Sequence, residues 1–401
     1  MQSVDAHLEQ CLAALMPPAP HALPLLEAAG CVLAEDVESP LDIPLFDNSS
    51  MDGYAVRLAD LGTLPVVLPV DGDLPAGASA ASALAPGTAV RIMTGAPVPA
   101  GAEAIVPVEW TDPGVDHVVV HRAPTPGQYV RLRGDDVSAG QVVLRAGARL
   151  TSSQVALLAS VGRDRVRVHP RPRVVVLPSG DELVPPGKPL GPGQIHDSNG
   201  YGLVAAARSA GAEAEHGGIV TDSAPAVLEA LRSAAARADL LITSGGVSAG
   251  AYDVVKEVLS GLGTVSFQKV GMQPGMPQGF GTVDGTPIFT LPGNPVSSLV
   301  SFELFVRPAL QVLSGGVPRR RVVTARAAGA WSSPAGKRQF TRGVLSADGA
   351  HGYSVTPVGG PGSHLLASLA SADCLAVVPE DVTSVELGDE LECYLLEGSD
   401  V

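Results

Sequence analysis

The sequence predicts a multidomain α/β plus β protein: a doubly wound αβ domain, an inserted β module, a discontinuous helical/β domain and a C-terminal β-barrel-like domain. From Arg171, strand-like runs (RVVVLP, AEAEHGGIV, ADLLITS) alternate with helical patterns long enough to cross over between parallel strands. Between Ser39 and Gly140 the texture is short Val-rich runs broken by Gly, Pro and Asp, flanked by helical pieces too short to fold alone. After Gly315-Gly316 short β runs return.

In chain order, Val4, Leu8, Leu12 and Leu15 recur at helical spacing, and Pro17-Pro18 end that helix. A second short helix spans about Leu23–Ala29 and stops at Gly30. TLPVVLPV, TAVRIM, AEAIVPVEW and DHVVVHR are the strands of the β module, residues 40–140. TSSQVALLASVG is a helix capped by Thr151 or Ser152 and closed by Gly162, so 1–39 and 141–170 form one discontinuous domain around the insertion. In the αβ domain, 171–315, the helices are SNGYGLVAAARSAG, SAPAVLEALRSAAARA, DVVKEVLSGLG and PVSSLVSFELFVRPALQVLSG. TVSFQKV and TPIFTLPG supply two further strands of a parallel sheet. Residues 316–401 close the chain with RVVTARAAG, QFTRGVL, GYSVTPV, CLAVVPE and DELECYLLE.

The 401 residues carry 41 acidic against 26 basic side chains, a net charge of −15, which disfavours a nucleic-acid footprint. Small anionic ligands remain compatible, held by backbone N–H groups, a local Arg or Mg²⁺. No apolar run reaches the length of a membrane span, and the N-terminus lacks a basic leader with a long apolar core, so a cytoplasmic protein is expected. Cys11, Cys31, Cys374 and Cys393 form no CxxC pair and read as buried reduced thiols.

The loops after successive strands carry the chemistry. Ser179-Gly180-Asp181-Glu182 follows the first strand, Thr221-Asp222 the second, and Ser244 to Gly250, with Gly245, Gly246, Ser248 and then Asp253, the third. If the strands are parallel these loops share one edge, where ligands bind in such sheets. A Gly-rich turn entering a helix suits phosphate, and converging carboxylates suit Mg²⁺. Each loop alone is equally a place where Asp caps a helix and Gly permits positive φ. Pro292-Gly293-Asn294-Pro295 makes a rigid turn in which Asn294 is either a helix cap or a ligand donor. In the β module, FDNSSMDGYA is polar between aromatics, with Asp52 as its candidate, while RLRGDD around Asp136 reads on charge alone as a solvated face.

Taken together, PLFDNSSMDGYAVR, RIMTGAPVP, VRLRGDDVSAGQ, SGDELV, DSNGYGL, TSGGVSAGAYD and LPGNPVSS resemble, in order and over nearly the whole chain, the signatures of the molybdopterin molybdenumtransferase family and of the homologous region of gephyrin. The resemblance implies molybdenum insertion into adenylylated molybdopterin from molybdate, with AMP released, Mg²⁺ required and an elongated homodimer. It implies that Asp52, Thr94 and Asp136 join Glu182, Asp222 and Asp253 in one cleft, where one protomer's β module meets its partner's αβ domain. It further implies that Pro292 and Pro295 shape the floor and that Arg342 and Ser363 reach the same cleft. Glu182, Asp222 and Asp253 are the metal candidates, and the Ser244–Gly250 loop the phosphate cradle. The family often carries lysines after Lys269; here Gln273 and Met276 bring no charge, and Lys269 remains the candidate for balancing an anion. The alternatives are a molybdopterin adenylyltransferase-like activity, a non-catalytic scaffold, or a tungsten-handling transferase. Expected partners are the preceding adenylyltransferase and acceptor molybdoenzymes, with no nucleic acid and no membrane.

Overall fold

A computed structural model of the chain describes residues 1–78, 82–246, 254–349 and 352–399. The αβ sheet runs in the order Glu213–His216, Arg173–Pro178, Leu240–Ser244, Thr286–Leu291, Pro277–Val283, Val265–Lys269. The first four strands are parallel, with Val174 opposite Leu240 and Ser244 opposite Leu291. The last two break the expected all-parallel pattern, since Pro277–Val283 and Val265–Lys269 pair antiparallel. The strand Pro277–Val283 is hidden in the sequence by Gly279 and Gly281, residues that weaken a strand reading. They are there for close approach: a Cβ at Gly279 would lie 2.0 Å from Thr290 Oγ1, and one at Gly281 would lie 2.1 Å from the Thr264 carbonyl.

Parallel strands covered on both faces read as continuous apolar runs, and RVVVLP and LLIT obey that rule. Val174 and Val176 face one core, with Leu203, Phe289, Phe302 and Phe305. Val175 and Leu177 face the other, with Val227, Leu231, Val255 and Leu259. Each fully buried Phe or Leu contributes on the order of 1.5–3 kcal/mol. The N-terminal helix Val4–Ala13, capped by Ser3, puts Val4 and Cys11 into the first of these cores, beside Phe305. Its His7 ring meets Phe305 edge-on at 4.8 Å, and burial holds its pKa down at about 4.

The segments flanking the β module share a core of Ala28, Cys31, Leu33, Val37, Leu150, Leu158, Val166 and Val168. There the strand Arg165–His169 sits between His21–Pro24 and Val32–Leu33. The expected helix over Leu23–Ala29 shrinks to Leu25–Ala28, because His21–Pro24 is drawn into that sheet. Thr151 and Gln154 form a capping box on the helix Ser152–Ser160. In the β module, Gly53–Val56 pairs antiparallel with both Ala89–Ile92 and Ala104–Pro107. The C-terminal region closes a five-stranded barrel, because Arg338–Ala347 pairs with both Tyr353–Pro357 and Cys374–Val378. Its Phe340, Leu375 and Val377 join the αβ core.

Among the described residues one helical run, Pro295–Leu313, has the length and hydropathy of a membrane span, contrary to the expectation that no apolar run reaches that length; 72% of that window is buried inside the protein. Its middle, Phe302–Val306, is π-helical, and Arg320 donates to the Leu304 carbonyl there. All four cysteines are buried and free.

Candidate functional site

Asp52 immediately precedes the strand Gly53–Val56, whose register sets Gly53 opposite Ile92 and so brings Thr94 alongside. Gly53 is required there: a Cβ would lie 2.0 Å from the Val106 carbonyl. Asp52 Oδ1 accepts from the Thr94 N–H at 2.7 Å and from the Thr94 hydroxyl at 2.8 Å. Those two donors, the backbone one foremost, hold the Asp52 carboxyl below the usual carboxylate range. A cavity of about 280 Å³ opens beside it, lined by Asp52, Tyr54, Arg91, Met93, Val108 and Val115.

The neighbouring loops are laced together. The Arg133 N–H donates to Asp47 at 2.7 Å, the Arg133 guanidinium to Asp42 at 2.5 Å, and the Asp136 N–H to the Ile43 carbonyl at 3.0 Å. The Asp136 carboxylate is left exposed.

At the αβ sheet edge, parallel pairing delivers the strand-end loops side by side. The Asp222 N–H donates to Asp181 Oδ1 at 3.0 Å and the Asp181 N–H to Asp222 Oδ2 at 3.4 Å, so two loops are joined through paired, exposed carboxylates. Glu182 is also exposed and folds its carboxylate over Gly180, whose φ of +148° only glycine adopts readily. Ser244 is buried, its N–H-bearing neighbour Gly245 donates to the Leu291 carbonyl at 3.2 Å, and Gly245 and Gly246 turn the chain at positive φ. Ser179 Oγ, buried beneath that turn, has no hydrogen-bond partner. Ser248 and Asp253 lie outside the described residues. Among the described residues no three His, Cys, Asp or Glu side chains gather as a metal cluster.

Pro292 is buried, Pro295 occupies the first helical turn, and Asn294 stands at the N-cap with an exposed side chain that makes no capping bond. Asn199, in the DSNGYGL string but not singled out by sequence reasoning, bridges Ser244 Oγ and the Gly293 carbonyl, both at 2.7 Å. Asp197 and His216 were missed as well. They form a pair at 2.7 Å, with Asp197 1% exposed. The signal for Asp197 was its place in that string; His216 carried none.

The barrel meets this edge from above. The Ser363 carbonyl accepts from the Val296 N–H at 3.0 Å, so Ser363 acts here through its backbone. Arg342, 5% exposed, donates to the carbonyls of Gly360 and Gly362, and burial lowers its pKa. A cavity of about 290 Å³ adjoins it, lined by Gln273, Pro274, Trp331, Thr341, Arg342 and Gly360. Trp331 Nε1 and Thr341 Oγ1 are buried without partners. Met276 is half-buried, and Lys269 is exposed with its carbonyl accepting from Gln2.

Residues 2–162 match the family described as MoeA N-terminal region (domain I and II), 175–312 the probable molybdopterin binding domain, and 324–396 the MoeA C-terminal region (domain IV). The chain is 48% identical to molybdopterin molybdenumtransferase 2 of Mycobacterium tuberculosis, covering 98% of this chain and 99% of that one. It is 38% identical to the molybdopterin molybdenumtransferase of Haemophilus influenzae, covering 92% and 91%. A crystal structure of a molybdopterin biosynthesis MoeA protein from Pyrococcus horikoshii superposes with a TM-score of 0.83 at 33% identity, over 99% of both chains. Motifs, fold and full-length likeness agree, and the chain belongs to the molybdopterin molybdenumtransferase family.

Proposed function

We propose that this chain inserts molybdenum into adenylylated molybdopterin, taking molybdate as the metal substrate and releasing AMP. The observation that carries this reading is the single sheet edge at which Asp181 is bonded to Asp222, and Asn199 to Ser244 and Gly293. A phosphoanhydride needs its charge balanced and a fixed backbone cradle; this edge offers the cradle itself, and the balance only through a cation that its carboxylates would hold. The donor set also suits Mg²⁺, which takes one or two carboxylates plus substrate phosphate oxygens. Asp222 and Glu182, with Asp253, would hold it, and its contribution when bound is to neutralise the phosphates and polarise the anhydride phosphorus.

The chain's own residues do the rest. The Ser244–Gly246 turn orients phosphate, Asn294 offers a free amide, and Pro292 and Pro295 keep the turn rigid. Arg342, with the orphan donors of Trp331 and Thr341, suits an oxyanion such as molybdate and supplies cationic character that Gln273 and Met276 do not. Asp52 and Asp136, with Thr94, act from the β module. Among the described residues the cavity at Asp52 is lined by the β module alone, and we assign its facing wall to the αβ domain of a second protomer. Exposed Leu45, Phe46 and Leu132 on the laced loops next to Asp136 favour such a contact.

The full-length match, spanning both flanking β regions, favours this reading over an adenylyltransferase-like one. Buried free thiols suit a reducing, cytoplasmic setting. Its substrate must come from an adenylylating enzyme, and its product must pass to molybdoenzymes. The test is anaerobic: purified protein, adenylylated molybdopterin, Mg²⁺ and molybdate, following AMP release and reconstitution of a cofactor-free molybdoenzyme. Appearance of both supports insertion. Binding without either product, even with tungstate, overturns it in favour of a scaffold.

A further inference from the structure

We infer that Asp197 and His216 are positioning residues, which fix the loop carrying Asp222 against the helix carrying Asn199; this rests on the proposed role of that sheet edge. The loop leaves its strand through Gly217-Gly218, the least constrained dipeptide available. Gly217 must be glycine, since a Cβ would lie 2.6 Å from Leu177 Cδ2 and 2.7 Å from Val175 Cγ1. Beyond it Val220 exchanges backbone bonds with Pro178 and Gly180, and His216 fixes the turn between that bridge and the strand.

The Gly218 N–H donates to His216 Nδ1 at 3.0 Å. That bond requires an unprotonated Nδ1, so the ring proton sits on Nε2 and is donated to Asp197 Oδ2 at 2.7 Å. Asp197 Oδ1 in turn accepts the Gly200 N–H at 2.8 Å, in the first turn of the helix Asn199–Ser209, where a carboxylate is favoured by the helix dipole. Asn199 then reaches Ser244 and Gly293. One chain of bonds thus runs from the Asp222 loop to the strand ends on the far side of the site. Space is tailored to it: a Cβ at Gly200 would fall 2.3 Å from Asp197 Oδ2 and 2.6 Å from His216 Nε2.

Three replacements dissect the pair. His216→Asn keeps an acceptor for Gly218 and loses Asp197; His216→Gln keeps a donor to Asp197 and loses Gly218; His216→Phe loses both. Two readouts are needed. The first is the ring ¹⁵N spectrum, assigned by its disappearance in His216→Phe, together with amide exchange of Gly218 to Asp222. The expected result is a protonated Nε2 and bare Nδ1, with exchange at least tenfold faster in His216→Phe and His216→Gln and nearly normal in His216→Asn. The second is the kcat and KM split of the transfer reaction. A misplaced carboxylate of this kind lowers kcat about 10- to 100-fold, with a raised Mg²⁺ requirement, little change in pterin KM, and partial rescue by His216→Asn. A protonated Nδ1, or exchange and kcat unchanged in His216→Phe, overturns the proposal. If the unmodified chain shows no transfer, the functional reading fails, while ring tautomer and loop exchange still decide the positioning role.

Discussion

Asp52 ends a turn before a β-strand and takes two hydrogen bonds on one oxygen from a single residue, Thr94. Asp222 lies well beyond its strand, after two glycines, and is held by bonds relayed from another loop. The β-module carboxylate is therefore fixed in charge and place by its own sheet. The αβ carboxylate depends on neighbours from several strand ends. In the proposed dimer, a carboxylate held by its own sheet would be set against one held through relayed bonds.

The largest test of this contrast is removal of each carboxylate. Asp222→Ala and Asp52→Ala should each lower kcat/KM by about 100-fold or more with circular dichroism and melting unchanged, since both side chains are exposed. Full activity in either would remove that residue from the site. Mixing sharpens it. If the two carboxylates face each other across a homodimer, equal amounts of the two inactive variants, after subunit exchange, should recover roughly a quarter of normal activity through one intact site per heterodimer. A site within one protomer recovers none.

Acid should separate the regions next. His7 is neutral in the αβ core with its pKa lowered to about 4 from 6.5, so the unfolded chain takes up that proton first on acidification. Stability is full above about pH 6.5 and falls by about 3 kcal/mol as the pH approaches 4. Denaturant melts of the αβ region should show this slope, and His7→Gln should flatten it. Asp52 behaves oppositely in place: it stays ionised to lower pH than an ordinary carboxyl. Thr94→Val removes the hydroxyl donor and keeps the N–H, so the Asp52 pKa should rise part of the way to its usual value, a small shift readable by ¹³C titration.

Much of this was legible. The alternation after Arg171 and the Val-rich runs before it define the architecture that the fold displays, because buried parallel strands and half-buried antiparallel ones leave different apolar patterns. What escaped was set by contact rather than pattern. Gly279 and Gly281 disguise a strand that exists because neighbouring backbones press against it. Similarly, the antiparallel edge could not be read from TVSFQKV, since a half-buried edge strand alternates in the same way whichever direction its neighbour runs. At the site, Asp181 was noted only as part of a loop, yet its bonds to Asp222 tie two strands together. His216 looked like an ordinary strand end, and its meaning lies in Asp197, nineteen positions away in sequence. Ser363, which the resemblance places at the cleft, touches the helix through its carbonyl.

The β module leaves and rejoins its host at nearly one point, where the Ser39 N–H donates to the Gln141 carbonyl at 2.9 Å and the Gly140 N–H to the Ser39 carbonyl at 2.8 Å. The whole excursion is thus topologically a bracketed clause. Joining Ser39 to Gln141 would have to close only the width of a strand pair, about 5 Å, so the module could be added or excised without rethreading the segments around it. The same closure gives it a two-stranded stem, Val37–Glu38 against Val142–Leu144, rather than a single-stranded tether.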